Sequence, residues 1–187
     1  MPAPPRRYSI PLESTPEFAS RIGVIFGLFA LVESHLFRVF SKVANVSESI
    51  SYLALGSHIS FAKRIELFSQ VCDIAAEERG MEVFREKNLA KALSMANAIR
   101  NKYAHGMYGA GTLGSATLMT KSVRNPKASR AETITVSTLD EDILFFKRVS
   151  LAMQDYVSGS GDLSELSQAI QEARTERPLE MQVPPPT

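Results

Sequence analysis

The segment from Leu89 to Gly106, LAKALSMANAIRNKYAHG, decides the fold expected of this chain. Its apolar residues recur at helical spacing up to Tyr103, and the glycine after them predicts a helix that ends in a left-handed turn. The stripe that carries the apolar residues also carries Arg100, so an arginine interrupts a row that otherwise faces the core. A guanidinium in such a position needs a partner.

Three polar residues accompany Arg100 on the flank of that stripe. Asn97, Asn101 and His105 follow one another at intervals of four, which places two amides and an imidazole beside the arginine. Arg100 and His105 are about 7.5 Å apart along a helix axis and roughly 140° apart around it. They could therefore hold one ligand only across a groove, or by pairing with a second copy of the chain.

An arginine and a histidine supply the groups needed to cleave a phosphodiester without a metal. The imidazole moves protons near neutral pH, and the guanidinium stabilises charge on the phosphoryl oxygens. Residue types alone favour a structural alternative, in which Arg100 pairs with a core acid and His105 bonds the terminal carbonyls of the helix.

The remaining sequence predicts a helical bundle around this segment. Thr15-Pro16-Glu17 has the cap, the proline and the acid of a helix start, and Gly80 is expected to end the second helix. Residues 107–137 change from helical spacing to alternation and predict a β-hairpin. The predicted helices cover 17 to about 45, roughly 58 to 78, 83 to 106 and 138 to 157. The expected fold is all-α, a bundle of four to five helices with a β-hairpin inserted after the third long helix.

The domain boundaries follow from composition. Residues 1–16 carry five prolines and predict an extended lead, and residues 17–158 predict the helical domain. Residues 159–187 predict a short helix and a disordered proline-rich tail.

Composition and charge indicate a soluble protein of a reducing compartment. The 187 residues are 44% hydrophobic, enough for a core without disulfides, and the lone Cys72 is expected to be buried. The proline-rich N-terminus argues against a secretory signal, and the most apolar run, Gly23 to Val32, is about half of a membrane span. We therefore expect a cytoplasmic location, no membrane contact, no metal and no cofactor.

The middle of the chain is basic although the net charge is only +1. No acidic residue lies between Glu86 and Glu132, whereas eight basic residues do: Lys87, Lys91, Arg100, Lys102, Lys121, Arg124, Lys127 and Arg130. This region either presents a positive face to phosphate or is an ordinary solvated surface, and the sequence leaves both open.

The order Arg100-Asn101-x-x-x-His105-Gly106 at the end of a bundle helix resembles the signature of the HEPN superfamily, an Arg and a His separated by four to six residues. The resemblance covers roughly residues 17–158. It implies a homodimer whose two motif helices face each other, so that Arg100 and His105 of both copies build one cleft. It also implies a metal-independent endoribonuclease, of a kind often found among toxins and antiviral effectors.

The resemblance assigns roles to three residues of the motif. His105 would transfer the proton during attack by a ribose 2′-hydroxyl, Arg100 would hold the scissile phosphate, and Asn101 would be the polar neighbour of that arginine. Nucleotidyltransferase-associated members carry a tyrosine two residues after the histidine, where this chain has Met107 and places Tyr108 one residue later. Other HEPN domains only bind or scaffold, so the alternative function is a non-catalytic module for RNA, a nucleotide or a protein partner.

The predicted partners are a second copy, RNA, and a cognate antitoxin or other partner protein. The predicted substrate-binding residues are Lys102, Tyr103, Tyr108, Glu33 and Asn97. Glu33 lies on an apolar side of the first helix, where an unpaired carboxylate is costly. It either orients Arg100 or His105 or, as we slightly favour, forms a structural ion pair with a base such as Arg64.

Overall fold

The computed structural model describes residues 15–56, 60–80, 84–110, 115–121 and 129–159. These residues form five helices and one three-stranded antiparallel sheet. In chain order the elements are α1 (Pro16–Ala44), α2 (Glu48–Leu55), α3 (Phe61–Arg79), α4 (Phe84–His105), β1 (Met107–Ala110), β2 (Ser115–Lys121), β3 (Ser129–Thr135) and α5 (Val136–Ser158). The expectation of a mainly helical fold is confirmed. Most of the predicted N-terminal lead and the predicted C-terminal helix and tail lie outside the described residues.

Helix α1 is the centre of the bundle. Its first turn is closed by Thr15, whose carbonyl accepts from the N–H groups of Phe18 and Ala19, while its hydroxyl makes no cap bond. Pro16 is already helical, so the helix begins inside the segment assigned to the lead. Ten buried residues of α1 face the other four helices, all of which it contacts.

By length and composition α1 also meets the criterion for a membrane-spanning helix, with a mean hydropathy of 1.7 over its best window. The core helix of a soluble protein and a signal sequence both meet the same criterion, and α1 contacts the other four helices of the bundle. Only 39% of that window is buried, so a second, outward face of α1 is apolar as well.

Helix α2 was not predicted. No helix was predicted between the first two predicted helices, but Ser47 caps one there by accepting from the Ile50 N–H, at 3.3 Å. Ser51 and Leu55 are the buried residues of this short helix. Helix α3 then begins with Ser60 as its cap, and Gly80 ends it as predicted, in a left-handed conformation with a φ of 60°.

The predicted β-hairpin is in fact a three-stranded meander in the order β1-β2-β3. The extra strand, β1, follows α4 directly and pairs with β2 so that Tyr108 lies opposite Leu118. Leu118 and Ile134 are fully buried, so one face of the sheet covers the end of the bundle. Helix α5 begins two residues earlier than predicted because the Thr135 hydroxyl accepts from the Thr138 N–H, at 3.1 Å.

The core joins α1, α3 and α5 through aromatic contacts. The Phe29 ring lies edge-on to Phe61, with centroids 4.8 Å apart, and edge-on to Phe146, at 6.2 Å. Burying side chains of this size stabilises a fold by about 1.5 to 3 kcal/mol each. Phe29 is thereby fixed by two neighbouring helices, and this matters because α4 places Arg100 over the same ring.

Candidate functional site

The C-terminal end of α4 is fixed to the sheet and to α5. The Tyr103 hydroxyl donates to Asp142 Oδ2 at 2.5 Å, and both residues are buried. Lys102 Nζ lies 2.6 Å from Glu132 Oε1, and the Tyr108 hydroxyl donates to the Tyr103 carbonyl at 2.8 Å. These contacts bring the motif residues into a defined position at one end of the bundle.

Gly106 is required by a close approach rather than by a left-handed turn. A Cβ at this position would lie 2.8 Å from the Lys102 carbonyl oxygen and would overlap the Leu118 side chain. Gly80 and Gly159 have a left-handed φ but Gly106 does not, so the expectation of a left-handed stop at Gly106 is wrong. The chain passes directly into β1, and the glycine lets β2 close over the helix end.

Two of the three residues of the predicted polar row on α4 form a connected chain of hydrogen bonds with Arg100, and His105 is not part of it. Arg100 Nη1 donates to Asn101 Oδ1 at 2.8 Å, and Asn101 Nδ2 donates to Asn97 Oδ1 at 3.4 Å. All three residues are half-buried. Asn101 therefore orients the guanidinium, and Asn97 in turn orients Asn101.

The other neighbour of Arg100 is an aromatic ring. Its Cζ lies 5.2 Å from the centroid of the Phe29 ring, within the range of a cation–π contact. Among the described residues no carboxylate lies within ion-pair distance of Arg100. The alternative in which a core acid neutralises Arg100 is not found there, so no carboxylate of the described residues balances the charge of this half-buried guanidinium.

His105 is the last residue of α4 and is exposed to solvent. Within the described part of the chain its ring makes no hydrogen bond, either to the terminal carbonyls of α4 or to another side chain. Helix geometry places it about 7.5 Å along the axis from Arg100 and roughly 140° around it. The imidazole and the guanidinium thus present different sides of one helix end.

Glu33 has the structural role that the sequence slightly favoured. Its Oε1 lies 3.2 Å from Arg64 Nη1, and Arg64 Nη2 donates to the Gly56 carbonyl at 3.3 Å. The Arg64 guanidinium also lies over the Phe37 ring, 5.6 Å from its centroid. The alternative in which Glu33 orients Arg100 or His105 has no contact to support it among the described residues.

The three remaining predicted substrate-binding residues already have partners within the chain. Lys102 pairs with Glu132, Tyr103 with Asp142, and Tyr108 with the Tyr103 carbonyl. Burial raises the pKa of Tyr108 to about 12, so its hydroxyl stays protonated and acts as a donor. These contacts establish a structural role for each, and contact with a substrate stays a prediction.

The basic stretch is partly neutralised by acids from neighbouring elements. Lys87 Nζ lies 3.0 Å from Asp73 Oδ1, and Lys102 is paired with Glu132. The side chains of the basic residues from Lys121 to Arg130 lie outside the described part of the structure. Both pairs reduce the positive charge that this region presents.

Two contributors to the site were missed by sequence reasoning. Phe29 was not predicted to contact the site, because its contact with Arg100 spans 71 residues and leaves no local pattern in the sequence. Asp142 was not among the predicted site residues, although it occupies the stripe of Leu139, Phe146, Val149 and Met153. An acid in an apolar stripe is a detectable signal for a buried polar partner.

The Cys72 thiol lies in the core and not at the site around Arg100. Cys72 is fully buried, as predicted, and burial raises its pKa to about 12, which keeps the sulfur protonated. The described residues contain no group of three or more His, Cys, Asp or Glu that could hold a metal ion.

Comparison of the chain with protein-family models, with curated proteins and with solved structures gave no significant match. The fold and the geometry around Arg100 are therefore the basis on which a function can be argued.

Proposed function

We propose that this chain is a HEPN-like, metal-independent endoribonuclease that works as a homodimer, with Arg100 and His105 of both copies forming one cleft. The observation that supports it most is the half-buried Arg100, which has an amide and an aromatic ring as neighbours but no carboxylate among the described residues. An unneutralised guanidinium is suited to an anion, and a phosphodiester supplies one. The proposal includes a cytoplasmic location, RNA as substrate and a toxin-like role with a cognate antitoxin or other partner protein.

The proposed reaction uses one proton acceptor and one proton donor. His105 of one copy takes the proton of a ribose 2′-hydroxyl while the 2′-oxygen forms a bond to the adjacent phosphorus. The bond from phosphorus to the 5′-oxygen breaks, and the imidazolium of the second copy gives that oxygen a proton. The products are a 2′,3′-cyclic phosphate and a 5′-hydroxyl, and no metal is needed.

Arg100 would stabilise the charge that develops on the phosphoryl oxygens. Its guanidinium has five N–H donors, and Asn101 accepts from Nη1, so further donors are available for phosphate. Asn101 and Phe29 hold the group in a fixed orientation before substrate binds, which lowers the cost of ordering it. Asn101 and Asn97 are therefore positioning residues in this proposal.

A non-catalytic module that binds RNA, a nucleotide or a protein is the second candidate. It is favoured by the exposed His105 ring, which no described residue orients. A general base normally has a partner that fixes its tautomer and direction. If the chain is such a module, Arg100 contributes to binding of the partner, and no bond of the partner is broken.

Cleavage of RNA in the presence of EDTA tests the proposal. The purified chain is incubated with a panel of structured and unstructured RNAs, and the new ends are tested for cyclic phosphate. We expect cleavage by the wild-type chain and none by His105→Ala or Arg100→Ala. Lys147→Ala is the control, because Lys147 is exposed on α5 and does not belong to the motif.

Two other outcomes decide between the candidates. If the folded chain binds labelled RNA without cutting it, and His105→Ala binds equally well while Arg100→Ala does not, the binding module is correct. If His105→Ala still cuts at the wild-type rate, the proposed active site is wrong.

A further inference from the structure

Helix α1 exposes a row of residues that does not belong to the core. Glu17, Val24, Leu31 and Arg38 are seven residues apart, and seven residues return a helix to nearly the same direction. Val24 is 44% exposed and Leu31 is 40% exposed. An acid and a base therefore flank two exposed apolar residues along one line of the helix.

Helix α5 continues this apolar surface. Leu144 and Leu151 are also seven residues apart, and they are 48% and 49% exposed. The contacts Arg21 to Asp140 and His35 to Gln154 both join residues 119 positions apart, so α1 and α5 run parallel in a constant register. Val24 and Leu144 lie at one level of this helix pair, and Leu31 and Leu151 lie two turns further on.

A row of small residues lies beside the apolar row on α1. It consists of Ser20, Gly23, Gly27, Ala30 and Ser34, all of them exposed. A Cβ at Gly23 or Gly27 would meet none of the described residues within 4 Å, and neither glycine has a positive φ. In the described part of the chain neither packing nor backbone conformation requires glycine at these positions, although glycine weakens a helix relative to alanine. A smooth helix surface of this kind lets a second helix approach closely.

We propose that this outer face of α1 and α5 binds a second copy of the chain, with the two α1 helices antiparallel. The charges identify the occupant. When Val24 of one copy lies opposite Leu31 of the other, the same register places Glu17 opposite Arg38, and the two-fold axis repeats both pairs. The face is thus complementary to itself in shape and in charge.

Glu17 and Arg38 are available for such pairing. Their side chains are 63% and 48% exposed, and their partners within the chain are Arg21, at 3.2 Å, and Glu48, at 3.5 Å. Exposed ion pairs of this kind contribute little to stability and exchange readily. The pairing between copies adds to these contacts without removing a buried one.

The size of the face fits a stable interface. Two neighbouring helices of this length cover about 35 Å by 20 Å, or about 700 Å² on each copy. A standard interface buries about 800 Å² on each partner. The four large apolar residues lie in the middle of this area, and the charged residues of α1 lie at its ends.

This face and the Arg100 site are separate surfaces. Phe29, which lies under Arg100, is buried on the core side of α1, whereas Val24 and Leu31 face outward. The inference therefore does not rest on the proposed function. A dimer through this face leaves both copies of the α4 motif free for another contact, and loss of the dimer by a change here need not abolish RNA cleavage.

Disulfide cross-linking tests the register. In the proposed arrangement the two copies of residue 27 lie beside the two-fold axis, whereas those of residue 23 are about 13 Å apart along the helices. We expect Gly27→Cys to form a covalent dimer under mild oxidation and Gly23→Cys not to, because a disulfide needs Cα atoms within about 7 Å. The native Cys72 is buried and stays out of the reaction. Equal cross-linking at both positions, or none at position 27 in a folded variant, overturns the proposed register.

A charge exchange, followed by sedimentation, tests the occupant. Glu17→Arg and Arg38→Glu should each weaken the dimer by about tenfold, and the double variant should restore it, since opposite charges then face each other again. Leu31→Lys should lower the sedimenting mass, because it removes the contact through this face, while Leu53→Lys, at the 82% exposed position on α2, is the control that should not.

Several outcomes would overturn the inference. A wild-type chain that stays monomeric at about 100 µM has no such interface. A double charge variant that is no better than the single variants excludes the antiparallel pairing. Binding of the monomer to phosphatidylglycerol vesicles that is lost in Leu31→Lys would assign the face to a membrane surface instead.

Discussion

The Arg100 guanidinium lies over the Phe29 ring, with its Cζ 5.2 Å from the ring centroid. This contact joins the candidate site to the core, because Phe29 also packs edge-on against Phe61 and Phe146. The orientation of the arginine thus depends on the same ring that fixes α1 against α3 and α5. Changes in this ring should affect both stability and the proposed activity.

Phe29→Leu should reduce RNA cleavage, or RNA binding, more than stability alone explains. The substitution keeps an apolar side chain but removes the ring face, and it should lower the free energy of unfolding by about 1 to 2 kcal/mol. Phe18→Leu is the matched control, since Phe18 is equally buried but lies near the N-terminal end of α1, away from Arg100. Urea unfolding and cleavage rates measure the two effects. An equal loss of cleavage in both variants would contradict a role for the ring beneath Arg100.

Gly106→Ala should destabilise the chain by about 2 kcal/mol, because the new methyl group would collide with Leu118 and with the Lys102 carbonyl. Gly109→Ala is the control, since its nearest contact, the Thr117 carbonyl oxygen, is 3.7 Å from the added Cβ. Urea unfolding is the measurement for both variants. A Gly106→Ala variant as stable as the control would show that β2 does not need this close approach.

Tyr103→Phe should lower the free energy of unfolding by about 2 kcal/mol, because it removes a donor from the buried Asp142 carboxylate. Tyr108→Phe removes a bond to a backbone carbonyl and should cost only about 1 kcal/mol. Denaturant unfolding of the two variants gives the comparison. If the two losses are equal, the Tyr103 to Asp142 contact is not the stronger one.

Stability should fall as the pH drops below about 6.5, the ordinary pKa of histidine. Burial lowers the pKa of His35, and the positive charge of Arg38 lowers it further. A hydrogen bond with Ser150 acts in the opposite direction. Below this pH the unfolded chain binds a proton at His35 more readily than the folded chain does. Acid therefore lowers the free energy of unfolding, by at most about 1.4 kcal/mol per pH unit for this one group. Its other ring nitrogen faces Gln154, at 3.4 Å.

Urea unfolding at pH 7.5 and pH 5.5 measures this effect. His35→Gln should reduce the difference between the two pH values, whereas His105→Gln, at an exposed position, should leave it unchanged. An unaltered difference in His35→Gln would assign the pH dependence to another group.

Gly23→Ala should raise the free energy of unfolding by about 0.5 to 1 kcal/mol. The added methyl group meets none of the described residues within 4 Å, and alanine is the better helix former. Stability should be measured in the Leu31→Lys background, where the proposed contact between the α1 helices is removed and cannot mask the effect on folding. A loss of stability there would mean that the glycine serves a contact inside the chain.

The sequence by itself determined the local features of this protein. Helical spacing, caps and stop residues act within about four residues along the chain, and for that reason the extents of α1 and α3, the end of α4 and the Gly80 stop were predictable. The same spacing predicted the hydrogen-bonded row of Asn97, Asn101 and Arg100. An unpaired acid on an apolar stripe was enough to predict the Glu33 ion pair.

Only the tertiary structure decided which distant residues meet these features. Strand β1 forms because β2 returns to pair with it, and Gly106 is a glycine because Leu118 approaches it there. Arg100 contacts the ring of Phe29 instead of an acid. Lys102 pairs with Glu132, which lies 30 residues away, so the local charge pattern could not predict the pair. Local periodicity specifies which face of an element is apolar, but the choice of partner depends on how all the faces are buried together.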